Sequence, residues 1–177
     1  MRKISEILMD EHKYILKVAD ALEKEYLGIK KGKQINKEFL TEIIDFIRNY
    51  ADRFHHDKEE EILFREMCKG DVAGKLHCNP ISQMVYEHDL GREFVKNMLE
   101  AIDKDNKNKL IENAKGYVDL IREHIYKEDN ILYPMADDAI DDVLEDKMLV
   151  KFKKEETKRK LDKTRYIKFV NSLKNGK

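Results

Sequence analysis

Apolar residues recur along this chain at intervals of three and four over long stretches, the period of an amphipathic helix rather than the alternation of a strand. Ile4, Ile7, Leu8, Ile15, Leu16, Ala19, Leu22 and Tyr26 line one face of a first predicted helix over residues 4–27, which the run Gly28-Ile29-Lys30-Lys31-Gly32-Lys33 ends. A second helix opens near Asn36, a suitable N-cap, and runs to about Cys68 through Phe39, Ile43, Ile47, Ala51, Phe54 and Leu63. Asn79-Pro80 reads as the cap and first residue of a third helix ending near Asp103, because a proline there gives up an N–H that has no partner anyway. The polar stretch Asp103–Asn108 turns the chain into a fourth helix, from about Lys109 to Tyr133, where Pro134 is expected to stop or kink it. Residues Asp137–Asp146 read as an acidic linker, and a fifth helix is expected over Glu155–Leu173.

Long helices with short connections fold most readily as an antiparallel bundle. The pattern therefore predicts an all-α fold: an up-down four-helix bundle over residues 1–136, with residues 137–177 forming the acidic linker and an additional basic helix packed on the bundle. Composition agrees. Charged residues make up 40% of the 177, Gly (7) and Pro (2) are scarce, and Trp is absent, a bias toward solvated helices.

The formal charge of −1 argues against a protein that binds nucleic acid with its whole surface, yet it hides an asymmetry. Residues 151–177 carry 11 Lys/Arg against 3 Asp/Glu, a net +8, which leaves −9 for residues 1–150. Such a tail either docks on the acidic body or meets an anionic partner such as nucleic acid or a membrane surface. Phe152, Tyr166 and Phe169, interleaved with the charges, favour docking. No apolar run approaches the roughly 18 residues needed to cross a bilayer, and the opening residues are too quickly charged for a secretory signal. The expectation is a cytoplasmic protein with no membrane partner, in which Cys68 and Cys78 are free thiols.

The candidate chemistry lies in a repeated pattern. His55-His56-Asp57-Lys58-Glu59-Glu60-Glu61-Ile62-Leu63-Phe64 and His124-Ile125-Tyr126-Lys127-Glu128-Asp129-Asn130-Ile131-Leu132-Tyr133 each place a glutamate four residues after a histidine, then an apolar pair. On an α-helix both side chains can reach one ion. His12 lies in line with Leu8, Leu16 and Ala19; His88 belongs with Ile81, Met84, Val85 and Val95; each of the four helices thus aims one histidine inward. Buried Glu59 and Glu128 need a cation or donors nearby, because an unpaired carboxylate in an apolar interior costs several kcal/mol or takes up a proton. The purely structural alternative is a buried His–Glu hydrogen-bond network. His56 and Glu60 share the four-residue spacing, but with Asn49, Asp52 and Arg53 on their face they are expected in water, leaving His56 a stand-in. His77 is expected to be solvated; with Cys68 and Cys78 it lacks a fourth metal ligand. Imidazole and carboxylate without thiolate suit iron or manganese, and two bridging carboxylates in a bundle suit a pair of ions; zinc would compete.

With those residues in view, the chain resembles the hemerythrin-like, HHE cation-binding family over about residues 4–136. The resemblance rests on Met9-Asp10-Glu11-His12, the two ten-residue segments, and Glu87-His88-Asp89. The segment from Pro80 to Asp89 is also similar to di-iron repair proteins of nitrosative stress. The resemblance implies a non-haem di-iron centre with His12, His55, His88 and His124 as terminal ligands and Glu59 and Glu128 bridging. It implies binding or sensing of dioxygen, peroxide or NO, or an enzyme of oxidative or nitrosative stress defence, peroxidase-like or donating iron to damaged iron–sulfur clusters. A sensor or enzyme of this kind would call on a separate redox or signalling partner. One departure stands out. Oxygen-carrying members offer a fifth histidine on the third helix, and the position four before His88 is Met84. Glu23, Tyr26 or His56 would complete the site, and spacing selects none of them; an open iron favours sensing and peroxide or NO chemistry over carriage.

Overall fold

The structure, a computed structural model, describes residues 3–74 and 80–173, apart from the side chain of Asp71. Among the described residues the chain is helical throughout and has no strand. Helix α1 spans Ile4–Lys30. Helix α2 covers residues 37–67 and is followed by one further turn, Gly70–Ala73. Helix α3 spans Ile81–Asp103, α4 covers residues 107–139, α5 spans Asp142–Lys158 and α6 spans Lys160–Ser172. Helix α4 packs along both α1 and α3, and α2 closes the ring between them. His77, Cys78 and the expected cap Asn79 lie outside the described residues; Cys68 is an exposed free thiol.

The turns have local causes. Helix α1 continues through Gly28, three residues past its expected end, and stops where Gly32 takes φ +103°. There Lys33 N–H donates to Gly28 O and Gly32 N–H to Ile29 O, a Schellman cap in which only glycine avoids strain. Asn36 caps α2 as expected, its side chain accepting from Phe39 N–H at 3.1 Å. Between α3 and α4, Asp105 sits at φ 52°, and Asn106 then caps α4 by accepting from Lys109 N–H.

Two expectations are corrected. Of the two outcomes expected at Pro134, a stop does not occur: α4 runs on to Ala139, with the preceding turn, Glu128–Leu132, widened to i→i+5 bonding. A wide turn absorbs the missing N–H and the crowding of a proline ring against the carbonyl four residues back. Residues 137–146 are not a linker. They are helical on either side of Ile140, and Asp141 caps α5 by accepting from Leu144 N–H, so the single tail helix expected over Glu155–Leu173 is two helices that part at Arg159.

Two apolar clusters fill the bundle, one toward each end. The larger joins Ile15, Val18 and Leu22 of α1 to Leu40, Ile43 and Tyr50 of α2, Val95 and Met98 of α3, and Leu110 and Val118 of α4. The smaller gathers Ile4, Leu8, Ile62, Leu63, Met84, Leu132 and Ala136. Helix α6 anchors in the first through Tyr166 and Val170, and α5 in the second through Met148, Leu149 and Phe152. Each such side chain contributes about 1.5–3 kcal/mol on leaving water. The tail thus docks on the body, and Arg159 and Arg165 meet Asp57 and Asp45 of α2. Between the clusters lies one polar layer, since His12 falls between Leu8 and Ile15, His88 between Met84 and Val95, and His124 between Ile121 and Leu132. No described helix is long and apolar enough to cross a membrane.

Candidate metal centre

The polar layer holds five histidines and two glutamates, all buried: His12, His55, His56, His88, His124, Glu59 and Glu128. Their ligand atoms fall into two groups, each close enough to share an ion. One is His12, His55, Glu59 and Glu128; the other is His56, His88 and His124. The two glutamates lie between them. Glu128 Oε2 is 3.3 Å from His12 Nε2 while its Oε1 is 3.1 Å from His124 Nε2. Glu59 Oε2 is 3.6 Å from both His55 Nε2 and His88 Nε2.

The expectation that His56 faces water is overturned: it is buried, and its ring stacks on His88 with centroids 3.8 Å apart and planes 8° from parallel. The reason is the helix. Residues 47–56 bond i→i+5, and a wider turn holds more residues, so neighbours in sequence are separated by a smaller angle than in an α-helix. Both His55 and His56 can then point inward. Helix α2 thereby supplies the fifth histidine that α3 lacks. Met84 is simply core, and Glu23 and Tyr26 are engaged elsewhere, Glu23 accepting from Arg122 at 2.6 Å and from Tyr26 at 3.4 Å.

Around the histidines a second set of polar side chains follows a two-fold pattern. His55 Nδ1–H donates to Glu11 Oε2 at 2.9 Å, and the other oxygen of Glu11 accepts from Lys58. His124 Nδ1–H donates to Glu87 Oε2 at 2.8 Å, and the other oxygen of Glu87 accepts from Lys127. Across the halves, His12 Nδ1–H donates to Asp129 at 2.8 Å and His88 Nδ1–H to Glu60 at 2.7 Å. Each half thus supplies a Glu-His pair, Glu11-His12 or Glu87-His88, and a His-x-x-Lys-Glu-acid run. The repeated dipeptides were the sequence signal for Glu11, Glu60, Glu87, Asp129, Lys58 and Lys127, which helical spacing alone does not single out. The symmetry breaks at two places: His56 corresponds to Ile125, and Tyr133, stacked on His12, corresponds to Phe64, stacked on His88. Tyr133 O–H donates to Glu59 Oε1 at 2.6 Å and lies 3.3 Å from His12 Nε2.

The donor set fits cations. A carboxylate only accepts, so four of the imidazoles carry a proton on Nδ1 and turn Nε2 inward, where it takes up either a second proton or a metal ion. Two such nitrogens face each other at 2.9 Å (His12 and His55) and two more at 3.0 Å (His88 and His124), where lone pairs repel without something positive between them. Glu59 Oε2 and both oxygens of Glu128 are buried with no hydrogen-bond partner among the described residues. Burial and the nearby Glu128 push Glu59 well above the usual carboxylate range. Burial acts the same way on Glu128, but His124 and His12 outweigh it and hold that carboxyl well below. His124 in turn, against the pull of burial, is raised to about 9 by Glu128 and Glu87, while burial and neighbouring imidazoles hold His55 and His56 well below 6.5. Without ions the layer shares out protons unevenly; metal ions would replace them.

A cavity of about 290 Å³ opens from the surface between α2, α3 and α4 and ends on His56, His88 and His124.

Comparison with known proteins agrees with this chemistry. The sequence profile of the hemerythrin HHE cation-binding domain matches residues 3–136. Uncharacterized proteins of Mycobacterium tuberculosis and Mycobacterium bovis are 24% identical over 160 residues, covering 87% of this chain. The chain spans 61% of the length of those relatives. No solved structure matches it. From the profile match and the histidine–glutamate layer together, the chain belongs to the hemerythrin HHE cation-binding domain family.

Proposed function

We propose that the layer is a non-haem di-iron centre that binds or senses dioxygen or a related small oxidant, peroxide or NO. His12 and His55 serve one ion and His56, His88 and His124 the other, with Glu59 and Glu128 shared. The observation that carries this is the convergence of inward imidazole nitrogens and buried carboxylate oxygens in one layer between two apolar clusters. Iron is preferred on the family's chemistry; the mixed nitrogen–oxygen donor set suits iron and manganese alike. A bound iron pair supplies reversible electron transfer to a small oxidant.

The chain's own residues hold and orient. Glu11, Glu60, Glu87 and Asp129 fix the imidazole tautomers and raise the basicity of the inward nitrogens. The two apolar clusters cover the layer from either end and leave the cavity beside His56 as its opening to the surface. Tyr133 holds a proton between Glu59 and His12, on the side away from the three-histidine group. His56 beside His88 and His124 supports a fuller ligand set than the sequence suggests, and the reading takes in carriage as well as sensing.

A second reading, an enzyme of oxidative or nitrosative stress defence, is favoured by the size of the cavity beside His56, which far exceeds what a diatomic ligand needs. The two are separated by loading the protein with iron(II) under anaerobic conditions and adding dioxygen, hydrogen peroxide or NO in turn. Reversible optical changes at one equivalent support binding, and sustained peroxide consumption supports the enzyme. An iron-loaded protein whose spectrum responds to none of the three refutes both.

A further inference from the structure

The cavity against the three-histidine group has a chemistry of its own. At about 290 Å³, against the roughly 10–15 Å³ that one water needs, it is an order of magnitude too large for a diatomic gas. Its walls are Ile47 and Ala51 of α2, Val95 and Leu99 of α3, and Leu120 and Ile121 of α4. Gly91 widens it: a Cβ there would lie 3.8 Å from the Tyr117 ring and 3.9 Å from Leu120, ordinary contacts that occupy the opening.

The charges that line it are unevenly committed. Asp52 is tied to Arg92 at 2.8 Å, Arg92 also to Glu60 and Asp89, and Glu87 to His124, Lys127 and Gln83. Arg48 and Lys96, both exposed at the mouth, have no ion pair or hydrogen bond among the described residues. At the inner end, His56 is buried, its Nδ1 3.6 Å from Asp52 Oδ1. The site is therefore apolar in the middle, cationic at the mouth, and bounded inside by the imidazoles.

We propose that this cavity binds a small organic anion with an apolar body, its carboxylate-like group at Arg48 and Lys96 and its body along Ile47, Val95 and Leu120 toward His56. Apolar walls with a few convergent polar groups are the usual make-up of a small-molecule site, and two unpaired cations select the sign of the ligand's charge. Occupancy would cover the approach to His56, His88 and His124. In the enzyme reading it would give an organic electron donor a place beside the centre. The binding itself needs no iron, so it stands or falls separately from the metal assignment.

Octanoate is the probe. Calorimetric titration of both metal-free and iron-loaded protein is expected to show one octanoate per chain, with octanol binding more weakly, and octylamine and acetate not at all. The double variant Arg48→Glu/Lys96→Glu changes only exposed side chains, and is expected to lose roughly tenfold or more in octanoate affinity. Gly91→Leu, which fills the neck, is expected to abolish binding, and Gly91→Ala, whose Cβ is accommodated, to weaken it with helix content unchanged. No octanoate binding in either metal state, equal binding of octylamine, or octanoate affinity unmoved by the double variant would overturn the proposal. Iron content measured on the same samples keeps a failed metal assignment distinct from a failed cavity assignment.

Discussion

His56 lies flat against His88, ring centroids 3.8 Å apart, although the two residues come from different helices and His56 neighbours His55, which groups with His12, Glu59 and Glu128. This contact makes the two halves of the centre unequal. On that basis His56→Ala should spare the His12/His55 position and weaken the other by at least the 10–100-fold that losses around metal ligands cost. Anaerobic iron(II) titration should then show one tight and one weak equivalent in place of two tight ones.

Lys58 and Lys127 occupy matching positions around Glu11 and Glu87, but their burial differs: the Lys58 side chain is fully buried, 4.0 Å from the Phe54 ring centroid, whereas that of Lys127 is 25% exposed. Lys58→Met would leave the buried Glu11 carboxylate without its cation, a change that costs about 3–5 kcal/mol. Lys127→Met, with water at hand and Gln83 still donating to Glu87, should cost about 1 kcal/mol. Denaturant unfolding of the two metal-free variants measures the difference directly.

Much of the candidate centre was legible in the chain because α-helical spacing carries it. His12, His55, His88, His124, Glu59 and Glu128 sit in line with core residues and meet in one layer. His56 was not legible, because its direction depends on a widened turn, and nothing in a hydrophobic pattern read at 100° per residue announces i→i+5 bonding. The same widening hid the continuation of α4 past Pro134. The tail departs from expectation for another reason: the stretch 137–146 is mostly acidic and too short to show an apolar period, so its helical turns read as a linker.

Glu66 ties the end of α2 to α5, accepting from Lys69 at 2.5 Å and from Lys151 at 3.1 Å. The Lys69 hydrogen bond, opposed by burial and aided by Lys151, holds its carboxyl below the usual 4.5. A carboxyl depressed in the folded state contributes stability that is complete above the unfolded value and is lost as pH falls through the folded one. The gap in thermal stability between the native sequence and Glu66→Gln should therefore be open at pH 7 and should close progressively as pH drops below about 4.5. A gap that stays constant down to pH 3 would mean that Glu66 acts by packing alone.

In the proposed centre the buried layer holds cations rather than protons. Iron counted per chain after anaerobic loading and desalting, in the native sequence and in Glu59→Ala/Glu128→Ala, tests it most directly. Two irons per chain are expected in the first and loss of two-iron occupancy in the second, with helix content equal in both. Two irons retained by the double variant, or none taken up by the native protein, would contradict it.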